Sequence, residues 1–237
     1  VPFMKKFWGF LLVIVLMTSC GEYQSLLKSN DYNLVYKKAI EYYNKGDYQR
    51  AMNLLDGVRS VFVGQAKAQN IAYYRAFCSY NMKDYQIASD LFKQFIQTYP
   101  ESSFAEECLY MMGFCDYKAS PKPRLDQQVT EKAIREFQLY LSRYPYSMRK
   151  DKVNTYMDEM RDKLSYKAYL SAKNYYLREH YKAAVISLQN CLKDYPGSKY
   201  REEIMYMLFV SKYQMAVNSV EDKKVERYNN AREEYYY

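Results

Sequence analysis

Aromatic positions recur along this chain at a helical spacing and on a fixed longer beat. Tyr36, Tyr73 and Tyr110 lie 37 residues apart, and Tyr43, Tyr80 and Tyr117 follow them by seven. The pair returns as Tyr169/Tyr176 and, 37 residues on, as Tyr206/Tyr213. Seven residues are about two helical turns, so each pair occupies one stripe of a helix. Between the members of four pairs stands a small residue: Ala39, Ala76, Gly113 or Ala172. A second alanine follows twelve residues later at Ala51, Ala88 and Ala184, and twenty later at Ala133; Pro100, Pro145 and Pro196 lie twelve beyond the last three alanines. Small residues let two helices approach closely, and proline stops the second helix because it cannot continue the hydrogen-bond ladder. A period of roughly 20 to 50 residues marks a stacked-repeat architecture. The pattern predicts an all-α, α-α superhelical solenoid of about five helix pairs, near 32–65, 69–102, 106–147, 148–198 and 202–237.

Breaks in the beat are informative too. The eight extra residues between Gly113 and Ala133 fall around Ser120-Pro121-Lys122-Pro123, a loop composition. No glycine or proline occurs from Tyr146 to Tyr195, which predicts one long helix over about 148–178. A fifth repeat opens near Glu202, with an expected turn near Ser219 to Lys224 holding ten extra residues before Ala231. The sequence stops at Tyr237 inside that repeat's second helix. Repeat arrays need a polar cap at each end, so the expectation is either a shortened terminus or a fraying last helix.

The turn Gly46-Asp47-Tyr48, echoed more weakly by Lys83-Asp84-Tyr85, follows Tyr43 and precedes Ala51. This run resembles the tetratricopeptide repeat. In that resemblance the ladder tyrosines sit on the first helix of each repeat, which lines the concave surface.

At the N-terminus, Lys5 and Lys6 precede an apolar run from Phe7 to Met17 and then Thr18-Ser19-Cys20-Gly21. A short charged segment followed by about 7 to 15 apolar residues is a secretory signal, too short to span a bilayer. Small residues ending in cysteine resemble the bacterial lipoprotein box, which implies removal of 1–19 and lipid on Cys20, with 20–31 as a linker. The alternative is an ordinary cysteine behind an ordinary signal.

Charge and cysteine usage narrow the class. Net charge is +8, or +6 without Lys5 and Lys6. An exported, tethered protein does not meet nucleic acid, so solvated helix faces near anionic lipid are the expected reading. Cys78, Cys108, Cys115 and Cys191 form no CxxC pair and fall inside amphipathic helical patterns, which predicts buried free thiols rather than disulfides. The single histidine, His180, has no zinc-type spacing around it and falls in a turn, so neither a metal nor another cofactor is expected. No phosphate loop, GxSxG or HExxH is present. The acidic pairs Glu106/Glu107, Glu202/Glu203 and Glu233/Glu234 are expected at helix starts or facing solvent, away from any partner base. The chain is not expected to be an enzyme.

Function is therefore expected on the ladder. The first two repeats carry matching sets, Asn33, Tyr36, Ile40, Tyr43, Asn44 and Asn70, Tyr73, Phe77, Tyr80, Asn81; the third carries Glu107, Tyr110, Phe114, Tyr117, Lys118. Tyrosine offers a large contact area with a polar tip, and asparagine can bond an extended backbone. Tyr36, Tyr43, Tyr73, Phe77, Tyr80, Tyr110 and Tyr117 are the candidate peptide-binding groove. The competing reading is that these rings only pack neighbouring repeats.

The lipoprotein box, five repeats, the insert in the third and the long fourth helix together resemble the BamD family. Tyr99-Pro100-Glu101-Ser102, Tyr144-Pro145-Tyr146-Ser147 and Tyr195-Pro196-Gly197-Ser198 match the tyrosine-proline-x-serine turns of that family. The resemblance implies a lipid-anchored protein on the periplasmic side of the outer membrane that takes part in inserting β-barrel proteins. It further implies that the N-terminal repeats receive the C-terminal strand of unfolded outer-membrane proteins. The C-terminal repeats, with Tyr169, Tyr176, Tyr206 and Tyr213, would dock the barrel subunit BamA. The rival is a tetratricopeptide scaffold of the cell envelope, for example one coordinating peptidoglycan synthesis. A SusD-like glycan binder fits poorly, because the one tryptophan, Trp8, lies in the signal.

Overall fold

The computed structural model describes residues 21–235. Among these residues every regular element is a helix. Helix α1 covers residues 21–27; it is followed by α2 (Tyr32–Asn44), α3 (Tyr48–Val58), α4 (Ala66–Asn81), α5 (Tyr85–Thr98), α6 (Ala105–Ala119), α7 (Gln128–Arg143), α8 (Lys150–Leu177), α9 (Tyr181–Asp194), α10 (Arg201–Val217) and α11 (Glu221–Tyr235). From α2 onward the helices form five pairs, and the fold class is an all-α solenoid of tetratricopeptide type. The signal segment 1–19, Cys20 and the last two residues lie outside the described residues.

The turn inside a pair has one geometry wherever the period is unbroken. Gly46, Lys83 and Glu179 occupy equivalent positions with φ of 82°, 68° and 59°. Each ends its helix with the same bonds: Gly46 N–H donates to the Tyr43 carbonyl, Lys83 N–H to Tyr80 and Glu179 N–H to Tyr176, each at 3.0 Å. A left-handed residue closing a helix is the usual C-terminal stop, and glycine adopts it without strain. Only the first repeat spells it with glycine, which is why the later turns are faint in the sequence. Asp47 then caps α3 by accepting from the Arg50 N–H at 3.2 Å. His180 stands at the matching position before α9, exposed and without a side-chain cap bond.

The described chain falls into two packed units, one reaching to Ala119 and including Lys132–Pro145, the other formed by Ser120–Glu131 and the chain from Tyr146. In the first unit Ala39, Ala51, Ala76, Ala88 and Ala133 are fully buried at helix crossings. Gly113 is small for the same reason: a Cβ there would stand 2.9 Å from Cδ1 of Phe137. The core also takes in Tyr23 and Leu26 from α1. The stretch expected as a linker thus folds onto the first repeat. Asn53 donates to the Tyr23 hydroxyl at 3.0 Å, and Lys38 pairs with Glu22 at 3.1 Å.

In the second unit the long helix appears as α8, 28 residues from Lys150 to Leu177. The insert of the third repeat is an ordered loop lying on it. Lys163 donates to the Ser120 hydroxyl at 2.6 Å and Lys167 to the Leu125 carbonyl at 2.7 Å. Buried Gln127 gathers the loop by donating to the carbonyls of Lys122 and Leu125, at 2.8 and 3.1 Å. The serines of the tyrosine-proline-x-serine turns act alike: the hydroxyls of Ser102, Ser147 and Ser198 each accept the backbone N–H two residues on, at 3.2 Å. One expectation is corrected. The turn of the fifth repeat is short, and α11 begins at Glu221, so the extra residues before Ala231 are helical. Glu221 and Asp222 favour a helix start, and no glycine or proline interrupts the run.

All four described cysteines are buried and free. Burial pushes the Cys78 and Cys108 thiols up to about 12, so they behave as small apolar side chains.

Candidate peptide-binding surface

The ladder tyrosines fall into a front row, near the start of each first helix, and a back row two turns on. Three front rings are each covered by an aromatic from the loop before the next repeat. Tyr36 meets Phe62 at 6.1 Å between centroids, Tyr73 meets Phe104 at 4.6 Å, and Tyr169 stacks on Tyr200 at 4.4 Å. Two front hydroxyls are tied to the following repeat: Tyr73 donates to Glu107 at 2.8 Å and Tyr169 to Glu203 at 2.7 Å. Both links span 34 residues, a spacing legible in the sequence but hidden behind the stronger beat of 37. Burial and then the Glu107 bond hold the Tyr73 phenol above its ordinary range.

Lys173 completes a triad in the second unit, donating to Glu203 and to the Tyr169 hydroxyl at 2.7 Å each. Those bonds hold the Glu203 carboxyl below its ordinary value, the Lys173 bond first. Glu203, expected at a helix start or facing solvent, is in addition ion-paired with the Lys173 ammonium, a donor and not a base. Glu106 is also engaged, accepting from the Tyr140 hydroxyl at 3.0 Å.

In the first unit the rings join into one chain across three repeats. It runs from Tyr43 to Tyr74 (4.9 Å), Tyr73 (5.5 Å), Phe77 (4.6 Å), Tyr80 (6.4 Å) and Phe114 (6.2 Å), and ends in stacked Tyr110 and Tyr117 at 5.6 and 5.9 Å from Phe114. Tyr36, Tyr43, Tyr73, Phe77, Tyr80 and Tyr117 are half-buried, each leaving part of a ring at the surface. Asn81 donates to the Tyr43 hydroxyl at 3.5 Å, and burial pushes that phenol up to about 12. Two candidates are corrected. Tyr110 and Tyr169 are 7% and 5% exposed, because Phe137 and Tyr140 press on the first and Tyr200 covers the second. Their rings serve packing. Tyr176 is half-buried, whereas Tyr206 and Tyr213 are 63% and 44% exposed.

An ionic cluster under the third repeat has no signature in the sequence. The carboxylate of Asp116, on α6, takes Lys132 Nζ at 2.8 Å and the Ser89 hydroxyl at 3.1 Å. Lys132 also lies 3.7 Å from Glu136 and 3.9 Å from Asp90. Glu136 Oε2 is buried without a hydrogen-bond partner. Burial, then the facing Asp116, pushes the Glu136 carboxyl up to about 8. Among the described residues no group of histidines, cysteines and carboxylates could hold a metal. No described helix is long and apolar enough to cross a membrane.

Residues 28–227 match the YfiO family, described as outer membrane lipoprotein. No curated protein matches the chain significantly. A solved structure titled MamA AMB-1 is 13% identical, over 85% of this chain and 90% of that one, with a TM-score of 0.36. A likeness at that level carries no argument about function.

Proposed function

We propose, from the premise that this chain belongs to the YfiO family of outer membrane lipoproteins, that it is a non-catalytic subunit assisting the assembly and insertion of β-barrel proteins. In this reading lipid on Cys20 holds it at the periplasmic face of the outer membrane. The aromatic face of the first unit receives extended segments of unfolded barrel proteins. Tyr206 and Tyr213, with neighbouring Tyr176, offer the second unit's surface to a BamA-like barrel subunit. The observation that carries the proposal is the unbroken run of rings from Tyr43 to Tyr117, whose members other than the buried Tyr110 each leave part of a ring at the surface. Rings already held by their neighbours lose little entropy on binding, and their exposed faces suit the alternate side chains of a strand.

Recovery of partners from solubilised membranes, through an affinity tag on the lipidated full chain, tests the reading. A β-barrel assembly subunit in the eluate is the expected result. Recovery of cell-wall synthases in its place assigns the chain to an envelope scaffold.

A further inference from the structure

Between α3 and α5, floored by α4, the first unit holds a cavity of about 310 Å³. Small side chains leave it open. Ala68 and Ala72 line its floor, whereas 37 residues either side of Ala72 the array carries Val35 and Leu109, both buried. Val63, Leu91, Phe95 and Tyr99 complete the apolar wall. The cavity lies on a different face of α4 from Tyr73, Phe77 and Tyr80. Ala68, Ala72 and Arg75 are three or four positions apart and out of phase with those rings.

One charged side chain is buried in this wall. Arg75 is 8% exposed and stands where the third repeat carries buried Met112. Its Nε donates at 2.6 Å to Asp56, which lies outside the cavity lining. Among the described residues its two Nη nitrogens, which carry the remaining donors, meet no acceptor. Buried donors left open beside a cavity call for an acceptor within it. Arg59, Gln94 and Thr98 stand at the exposed rim, and no acidic residue among the described residues lines the cavity.

Charge and wall chemistry together specify the ligand. Asp56 neutralises Arg75, so Arg59 leaves one net positive charge, which suits a monoanion. The planar guanidinium fork matches a carboxylate. A peptide backbone would bring N–H and C=O groups that these walls cannot satisfy. A helix, about 10–12 Å across with its side chains, is too wide for a cavity of this size. An aliphatic chain meets neither obstacle. Ala68 and Arg75 are two turns of α4 apart, about 10 Å, which gives room for a chain of medium length.

We propose that this cavity binds an aliphatic monocarboxylate, a fatty acid of medium chain length. The carboxylate pairs with the Arg75 Nη nitrogens, the chain lies over Ala72 and Ala68, and Arg59 adds attraction at the mouth. A molecule held there touches α3, α4 and α5 at once, so it fastens the first repeat to the second. It leaves the aromatic face free, and the assignment is independent of the peptide-binding reading.

The test is isothermal titration calorimetry with octanoate and with octanol. It uses the chain from residue 20 onward carrying Cys20→Ser, so that no attached lipid calls for detergent. Octanoate is expected to bind about tenfold more tightly than octanol, the strength of a hydrogen-bonded charge pair. It should also raise the melting temperature of the parent chain. Arg75→Met, the third repeat's residue, is expected to bring the two affinities together. Ala72→Leu, which fills the cavity as Leu109 does, is expected to abolish binding of both, with circular dichroism confirming the fold. Where Arg75→Met fails to fold, the comparison of acid with alcohol in the parent chain decides. Equal affinities there overturn the carboxylate assignment. Undiminished octanoate binding by folded Ala72→Leu overturns the location. Failure of octanoate to bind the parent chain, whether or not an acidic apolar peptide binds in its place, overturns the proposal as a whole.

Discussion

The Tyr73 hydroxyl donates to the Glu107 carboxylate at 2.8 Å, joining the second repeat to the third. This bond separates two roles that a tyrosine ladder could serve. A ring whose hydroxyl is committed to the next repeat carries stability, whatever its exposed face does for a ligand. In a repeat protein such nearest-neighbour links supply much of the cooperativity. Tyr73→Phe is expected to cost about 1.5–3 kcal/mol, the usual worth of a hydrogen bond to a charged group. Chemical denaturation of the two proteins measures it. A cost near zero means that water replaces the phenol at Glu107.

The back row is expected to carry ligand binding. Replacing Tyr43 and Tyr80 together by alanine should weaken a barrel-protein C-terminal peptide about tenfold or more, since such anchors commonly contribute ~1–2 kcal/mol each. The far-ultraviolet spectrum should stay helical, although loss of the contacts with Tyr48, Tyr74 and Tyr85 will lower the melting temperature. Undiminished affinity in the folded double variant would reduce these rings to packing.

Stability should depend on pH through Glu136. Its carboxyl is raised in the folded state, from an ordinary 4.5 to about 8, by burial and by Asp116. Below 4.5 the group is protonated whether the chain is folded or not. Between the two values the folded state holds a proton that the unfolded chain has released, so stability falls as pH rises through this window. Lys132, facing both carboxylates, limits the loss without reversing its sign. Denaturation midpoints followed from pH 5 to 9, an interval chosen about those values, should decline in the parent chain. Glu136→Gln, which cannot ionise, should flatten the profile. A parent profile already flat over that window would show that Glu136 ionises freely in the fold.

Close packing of α6 on α7 depends on Gly113. A methyl group there would meet the fully buried Phe137 ring at 2.9 Å, and that ring sits in a core already filled by Tyr110 and Tyr140. Gly113→Ala gains helix propensity of about 1 kcal/mol but overpacks the site at a cost of about 1–3 kcal/mol. Net destabilisation is expected by thermal melting. The same methyl group is present in the alanines of the other repeats, where the facing side chains differ.

What the sequence determined by itself is whatever one helix pair decides internally. The seven-residue tyrosine spacing, the buried alanines, the prolines behind the second helices and the glycine-free stretch before α8 each act within a repeat. Together they specify the helix pairs, the third-repeat insert and the long fourth helix. Near Val220 the period breaks as it does at a loop, yet the acidic first-turn residues Glu221 and Asp222 and a run without glycine or proline make the segment helix α11.

Tertiary structure alone decided where each ring points its free face and which charges meet. Tyr110 and Tyr73 are equivalent in the sequence, yet Phe137 and Tyr140 close over the first and leave the second half open. Asp116, Lys132 and Glu136 come from two helices separated by the insert, and no spacing announces their meeting. Arg75 reads as an ordinary surface charge until Asp56, on the preceding repeat, and the cavity beside Ala72 are seen around it. The physical reason is common to all three. Helix periodicity depends on neighbours three and four positions away, whereas exposure and ionisation depend on atoms of the adjoining repeat, whose approach is set by the side chains at the crossing.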